Sequence, residues 1–383
     1  MAEANDPNLA YNQVAINVAN SIFKMNEHQR DLPYAKKTKS EVTKLFHQGN
    51  KMGLGVYLEN ERLGGNFVSP ELEFRAKKLN VEFEHLGTTI GTVIHNINLK
   101  QKLSKEQVEV IRETLVQRKV IFFRNQILTE DEQVNFGRYF GALDAFPFAP
   151  PAKNPYLYHI RHGHNRPGNI NLWHTDVTWM EKPSLGSIAQ CIDIPRWGGD
   201  TCFSDSHAVY LGLPNGIQAK LKDIHGINDY RNFLGGKKHG LPEKLRESIK
   251  AQIPFGVSHP LLRTHDENGK TALYLHTGFL RHDSLYNAKT GEKMDVNEAK
   301  RLIRFLAKQF ERPEYQCRFQ WKQGSIAFWD NRACQHYATS DYFPYKRTLR
   351  RITVSSSVRP YYNPLEDIYD PNNNNNHEHK SKM

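Results

Sequence analysis

The spacing of apolar positions divides the chain into a polar beginning, a long patterned middle and a polar end. Ser104 is followed three residues later by Gln107 and then by an apolar stripe of Val108, Ile111 and Leu115. Thr129 is followed by Glu132 and then by Val134, Phe136 and Phe140. Both are capping-box patterns ahead of a helical stripe, and they predict two helices. Between them VIFFR, at 120–124, is a short apolar run that predicts a strand. Further strands are expected at 186–192, 201–204, 271–276, 316–321, 325–329 and 351–358. Helical patterns recur near 214–224, 242–251 and 295–310. Many short strands with turn signals, and helices mostly outside the strand-rich stretches, predict a mainly β fold with flanking helices: a β-sandwich or jelly roll decorated by helices. A parallel α/β sheet fits less well, because the strands after 316 follow one another without helices between them.

The same pattern sets the expected organisation. Residues 1–79 read as an N-terminal extension, partly disordered, with its first 50 residues polar, mixed in charge and weakly periodic. Residues 80–362 carry the regular pattern. Residues 363–383 form a low-complexity tail around the run Asn372 to Asn376, which cannot bury a core. With 38% hydrophobic and 11% aromatic residues the chain can pack a sizeable core, which excludes wholesale disorder. No stretch of ~18 consecutive apolar residues occurs, so no membrane association is expected. The start, MAEANDPNLA, has no basic segment leading into an apolar one, so a cytoplasmic location is expected. The four cysteines show no C-x-x-C spacing, which argues against a disulfide scaffold or a cysteine zinc site. The net charge of +11 raises nucleic acid as a partner, but Lys and Arg are scattered without a basic block or an Arg/aromatic ladder, so no nucleic-acid binding is expected.

Candidate chemistry begins at Leu172-Trp173-His174-Thr175-Asp176. On a strand, residues i and i+2 share a face, so His174 and Asp176 would present an imidazole and a carboxylate side by side. His336 follows the expected strand 325–329. Two histidines and one carboxylate on one face of a metal, with open positions opposite, are the facial triad of non-haem Fe(II) oxygenases. An H-x-D pair alone is also common in ordinary loops and strands, and the chain has 18 histidines. Downstream, Arg347 and Arg351 lie four apart and on one face if the segment is extended, with Arg350 on the other. Guanidinium groups suit bidentate recognition of a carboxylate or a sulfonate, so this spacing is compatible with a pocket for two anions. It is equally compatible with a solvated basic strand edge, since Lys346, Arg347, Arg350 and Arg351 are all basic.

Longer segments carry a resemblance. WHTDVT at 173–178, GGDTCFSD at 198–205, LLRTHDENGKTALYLHTGF at 261–279 and IAFWDNRACQHYATSDY at 326–342 resemble the taurine dioxygenase family of Fe(II)- and 2-oxoglutarate-dependent dioxygenases, over roughly residues 80–362. With its N-terminal segment and Asn-rich tail the chain is similar to the fungal sulfonate dioxygenases of that family. The resemblance implies a double-stranded β-helix with helical insertions and a homo-oligomer, dimer or tetramer. It implies Fe(II), 2-oxoglutarate and O2 as cofactor and co-substrates. Position by position, it implies that His174, Asp176 and His336 are the iron ligands. Arg347 and Thr201 would hold 2-oxoglutarate, and Arg351 the anionic group of a small organosulfur substrate. The implied reaction hydroxylates the carbon next to sulfur and releases sulfite and an aldehyde, with succinate and CO2.

The sequence departs from the taurine-specific pattern in the substrate pocket. Phe146 stands where a histidine is expected, Ala149 where a tyrosine is, and Ile170, between Asn169 and Asn171, where an asparagine is. An apolar lining does not favour a buried ammonium, so an alkyl or aryl sulfonate, or a sulfate ester, fits better than taurine. Phe279, with Trp173 and Tyr230, is a further candidate for the lining, core packing being the alternative for any single aromatic. Asp330 and Asn331 are expected to organise the turn before His336. Cys191 and Cys202 are expected in the core. Alternatives are an alkylsulfatase-type enzyme releasing sulfate, a phenoxyacetate or carboxylate dioxygenase, and a non-catalytic jelly-roll binding protein. The last residues, Ser381-Lys382-Met383, are one step from the peroxisomal S-K-L address, which makes the peroxisome the alternative location.

Overall fold

Both capping boxes form, and they anchor two helices against the main sheet. In the computed structural model the Ser104 hydroxyl accepts from the Gln107 backbone while the Gln107 side chain accepts from the Ser104 backbone, opening the helix Lys105–Arg118; Thr129 and Glu132 do the same for Glu130–Arg138. The structure describes residues 52–146, 154–168, 171–231, 243–253 and 255–365. All of them fall in one unit, Phe46–Met383.

The main sheet has eight strands. Its path runs Glu82–His85, Thr92–His95, Val120–Phe123, Ile326–Asp330, Gly186–Asp193, Arg347–Val354 and Leu143–Asp144, with Tyr158–His162 pairing alongside Arg347–Val354. A three-stranded sheet, Gln316–Phe319, Thr201–Asp205 and Cys334–Ala338, supplies the opposing layer. All pairings in these two sheets are antiparallel except the one between Thr92–His95 and Val120–Phe123. Two sheets of short strands with helices on one outer face make the expected jelly-roll architecture.

Alternation along the strands makes two cores. Ile188, Ile326, Phe328, Ile352 and Val354 face the helices and pack with Ile111, Leu115, Val134 and Phe136. Ala189, Cys191, Ala327, Trp329 and Leu349 face the small sheet and pack with Phe203, Phe319 and Trp321. A period of two therefore gives each central strand a helix-facing and a site-facing side. Cys191 is in the second core, as expected, and Cys202 is half-buried.

Some elements differ from their expected bounds. The strand expected at 351–358 is Arg347–Val354, so it starts earlier and carries all three arginines. The strand expected at 271–276 stops at Leu273. Its pairing with Leu262–Thr264 spans three residues, and the chain turns at His276. Within the stretch expected to be an extension, Met52–Glu61 and Pro70–Lys78 are helices. Leu54, Leu58, Leu72 and Ala76 are buried, and a Cβ at Gly55 would come within 2.1 Å of the Ala208 carbonyl. The first helix therefore lies directly against Ser206–Gly212. The C-terminal tripeptide lies outside the described residues.

Candidate active site

The cavity lies between the site-facing side of the main sheet and the small sheet. It encloses about 360 Å³ and is lined by residues from both sheets and from the loops after 162, 172 and 276.

His336 sits on Cys334–Ala338, opposite Phe203. Its backbone exchanges both hydrogen bonds with His174, at 2.8 and 3.1 Å, so the two imidazoles stand side by side with ring centroids 4.0 Å apart. Here the structure corrects the expected local geometry. His174 and Asp176 do not share a strand: one bridge pair at His174 is followed by a turn, with Val177 at a positive φ of 49°. The turn returns the carboxylate to the imidazoles, with Asp176 Oδ1 3.9 Å from His174 Nε2 and 4.0 Å from His336 Nε2. Asn331 holds this turn, its carbonyl accepting from the Thr175 hydroxyl at 2.6 Å and its side chain from the Asp176 backbone at 3.4 Å. Asp330 accepts from the Arg332 backbone at 2.8 Å and so organises the turn before His336 as expected, whereas Asn331 serves the turn at 175–176 instead.

Three donor atoms, one from each of His174, Asp176 and His336, lie within 4.8 Å of one another, and all three residues are buried. This set can hold a metal. The His174 Nδ1 lies 2.8 Å from the Leu172 carbonyl, which places the proton there and leaves Nε2 as the free lone pair. Burial holds both imidazoles below their ordinary pKa, His336 well below, which keeps them neutral as ligands must be. Burial alone would raise the Asp176 carboxyl. The Arg351 guanidinium outweighs it, with help from the Ser187 hydroxyl, so the group stays well below the usual carboxylate range. Ser187 donates to Asp176 Oδ2 at 2.9 Å.

The two arginines lie where an alternating strand puts them. Arg347, Leu349 and Arg351 line the cavity. Arg350, on the other side, donates to the Gln133 side chain and to the Leu128 carbonyl at 2.7 and 2.6 Å. The reading as a solvated basic edge is thereby overturned: Arg347 and Arg351 are only 2% and 8% exposed. Arg347 donates to the Gly199 carbonyl at 2.9 Å and to Thr201 Oγ1 at 3.4 Å, while Trp321 Nε1 donates to that same hydroxyl oxygen at 2.9 Å. Gly199 is required there. Its φ is +72°, and a Cβ would fall 3.0 Å from the Arg347 side chain. Arg351 Nη1 donates to both oxygens of Asp176 at 3.2 Å, and the rings of Phe146 and Tyr158 flank its guanidinium at 5.4 and 5.7 Å.

Of the expected lining, Phe146 and Phe279 line the cavity. Ile170 and Ala149 lie outside the described residues. Tyr230 is fully buried and does not line the cavity, packing on the cavity residue Trp179 with its hydroxyl donating to the Ile253 carbonyl. Trp173 turns away to pack near Tyr337. Alternation around His174 accounts for that, since the neighbour of an inward residue points outward. Sequence reasoning missed Tyr158, Trp179, His276 and Tyr342, all of which line the cavity. No spacing rule singles them out, although His276 lies within the LYLHTGF segment.

Comparison with known proteins agrees with this geometry. The profile of the family described as taurine catabolism dioxygenase TauD, TfdA family matches residues 82–353. The chain is similar to an alpha-ketoglutarate-dependent sulfate ester dioxygenase of Pseudomonas putida, 31% identical over 287 residues, covering 73% of this chain and 91% of that protein. It is also similar to an alpha-ketoglutarate-dependent sulfonate dioxygenase of Saccharomyces cerevisiae, 28% identical over 332 residues, covering 82% and 74%. Among solved structures it resembles a taurine dioxygenase from Burkholderia xenovorans, with a TM-score of 0.60 at 30% identity, covering 73% of this chain and 92% of that one.

Proposed function

The chain belongs to the TauD/TfdA family and is an Fe(II)- and 2-oxoglutarate-dependent dioxygenase, and from that premise we propose that it hydroxylates the carbon bearing the sulfur group of an organosulfonate. The products are sulfite and an aldehyde, with succinate and CO2 formed from 2-oxoglutarate. One observation carries the reading: two buried arginines on one strand face open into a largely apolar cavity, one of them bonded to the carboxylate of a His/His/Asp cluster. The substrate is a small organosulfur anion with an apolar body.

In this reading His174, Asp176 and His336 hold the iron. The donor set fits it, with two neutral imidazoles, one ionised carboxylate and no competing thiolate in the cavity lining. Bound Fe(II), with 2-oxoglutarate and O2, supplies the oxidising chemistry. The protein positions the reactants. Arg347 and Thr201 hold the far carboxylate of 2-oxoglutarate; support comes from an arginine that is buried yet bonded only to a carbonyl and a hydroxyl among the described residues. Arg351 holds the substrate anion and fixes its α-carbon beside the metal. Its support is geometric: with Nη1 on Asp176, the Nε and Nη2 edge makes no hydrogen bond among the described residues. Phe146 and Phe279 line the space for the apolar body and exclude water. Buried apolar walls favour an alkyl or aryl chain and disfavour the ammonium of taurine.

A sulfate ester is the second reading, favoured by the Pseudomonas putida relative; hydroxylation at the carbon bearing the ester oxygen would then release sulfate. Residues 80–362 form the catalytic domain in this proposal, supported by the family match. A homo-oligomer in the cytoplasm belongs to the same proposal, with the peroxisome as the alternative. Among the described residues no helix is long and apolar enough to cross a membrane. The deciding experiment measures succinate, sulfite and sulfate from Fe(II)-loaded protein. The panel is taurine, linear alkyl sulfonates, alkyl sulfates and phenoxyacetate. Sulfite from alkyl sulfonates with little from taurine is the expected result. Turnover of phenoxyacetate alone would overturn the reading.

A further inference from the structure

Among the polar residues of the cavity outside the triad and the two arginines, His276 stands next to the metal-ligand cluster. His276 is 6% exposed, lines the cavity, and has its ring centroid 5.3 Å from that of His174 and 4.0 Å from that of Phe279. Its Nδ1 accepts from the backbone N–H groups of Gly278 at 3.0 Å and Phe279 at 3.2 Å. A ring nitrogen that accepts two N–H bonds carries no proton, so the neutral imidazole has its proton on Nε2. The turn is fitted closely around the ring: a Cβ at Gly278 would stand 3.0 Å from His276 Cε1. With Nδ1 committed to the turn, Nε2 is the donor left for the cavity. Among the described residues it has no partner. The cavity that His276 lines also has apolar walls from Leu172, Val177, Trp179 and Phe279, of which Phe279 packs directly on the ring.

Arg351 offers the complementary half. Nη1 is occupied by Asp176, the flanking rings of Phe146 and Tyr158 restrict the guanidinium, and the Nε and Nη2 edge is the part left for a ligand. That edge matches two oxygens of an anion. A planar carboxylate has only those two. A sulfonate or sulfate group has a third, directed away from them.

Resting on the function proposed above, we propose that His276 is a specificity residue whose Nε2–H donates to the third oxygen of a tetrahedral sulfur head group held by the Nε/Nη2 edge of Arg351. A carboxylate substrate would satisfy Arg351 and leave this donor dehydrated and unpaired, which selects against it. His276 then distinguishes sulfur oxyanions from carboxylates of equal chain length.

The test is His276→Asn in the full-length, Fe(II)-loaded enzyme. The Asn carboxamide oxygen can accept from the same two backbone N–H groups, as in an Asx turn, while its amide ends short of the cavity. The expected result is about a tenfold rise in KM for an alkyl sulfonate, matching one lost hydrogen bond to a charged group. The KM for 2-oxoglutarate and the Mn(II) affinity by calorimetry stay unchanged. The preference for the sulfonate over the matching carboxylate, as a ratio of kcat/KM, falls by about the same factor. An unchanged KM and ratio would overturn the proposal, as would joint loss of metal and co-substrate binding, which would make His276 a framework residue. A second arm needs no variant: against the wild-type enzyme, an alkyl sulfonate should compete better than its carboxylate analogue, and equal competition would overturn the proposal. Wild-type enzyme that turns over no sulfonate or sulfate ester would remove the functional reading itself. Turnover by the wild type with an unmoved variant removes only the role of His276.

Discussion

Two buried charged regions of this protein invite comparison. Beneath the first helix, Glu59 Oε1 accepts from Lys119 at 2.7 Å and from Lys270 at 2.8 Å, and Glu59 Oε2 accepts from Arg62 at 3.0 Å. Lys119 also reaches Asp205 at 3.1 Å and the Thr89 carbonyl at 2.9 Å. Every charge there meets an opposite charge, and the network ties the first helix to the body of the fold. The cavity is different. Of the arginines that line it only Arg347 and Arg351 are buried; Arg351 pairs with Asp176, and Arg347 meets no carboxylate among the described residues, while Arg161 and Arg166 are exposed. Both regions are buried, so burial of charge does not mark function. The difference is closure. A network in which each cation reaches a carboxylate is structural, whereas a buried cation that reaches none, here Arg347, makes a site that awaits an anion.

The largest effect expected from this comparison is at the triad. His174→Ala should lose bound metal and cut turnover by roughly a thousandfold or more, while the melting temperature changes little, because the open cluster contributes to chemistry rather than to closure. Metal content by emission spectroscopy together with thermal melts would check it. A thermal collapse comparable to that of a Glu59 variant would break the distinction.

Glu59→Ala comes next. It strands the buried Lys270, leaves Lys119 with Asp205 alone, and should destabilise the fold by about 3–5 kcal/mol with KM values unchanged in the folded fraction, measured by urea denaturation. Arg347→Ala should then raise the KM for 2-oxoglutarate about a hundredfold at unchanged stability, and Arg347→Lys should recover little of it, because the bidentate fork is lost. A Lys variant with near wild-type KM would show that charge alone suffices at that end of the cavity.

The smallest effect is in pH. Burial pushes His259 and His162 down to about 4, His162 with help from the nearby Arg347. Between pH 6.5 and 4 the unfolded chain binds protons that the folded chain refuses, so stability rises with pH across that window and falls as pH drops through it. Denaturation at stepped pH should show this slope. His259→Gln should flatten it, because His259 belongs to neither charged network and titrates through burial.

Much of the fold was legible because its signals are local. Capping boxes at Ser104 and Thr129 operate within four residues, and both formed. The central strands VIFF, GSIAQCID and IAFWD are short apolar runs with few competing conformations. The strand bearing Arg347 and Arg351 was legible in its alternation but not in its extent, since its first residues pair with both Tyr158–His162 and Gly186–Asp193. Likewise the segment at 271–276 reads as a strand, yet it ends where its partner does. The helix Met52–Glu61 carries little amphipathic pattern, and it forms against Ser206–Gly212, a contact no local window contains.

The sequence by itself determined the chemical inventory: two histidines and an aspartate for a metal, two arginines of one strand parity for anions, and a mostly apolar set for the walls. It did so because residue type sets donor chemistry and strand period sets the face. Only the tertiary structure decided the rest. It placed His174 beside His336 through a single bridge across 162 positions of chain, closed Asp176 onto them by a turn rather than a strand, and left Arg347 without a carboxylate while Glu59 and Lys119 paired with each other. These outcomes depend on which distant segments share the interior, and on the long-range pairing of charge once water is gone.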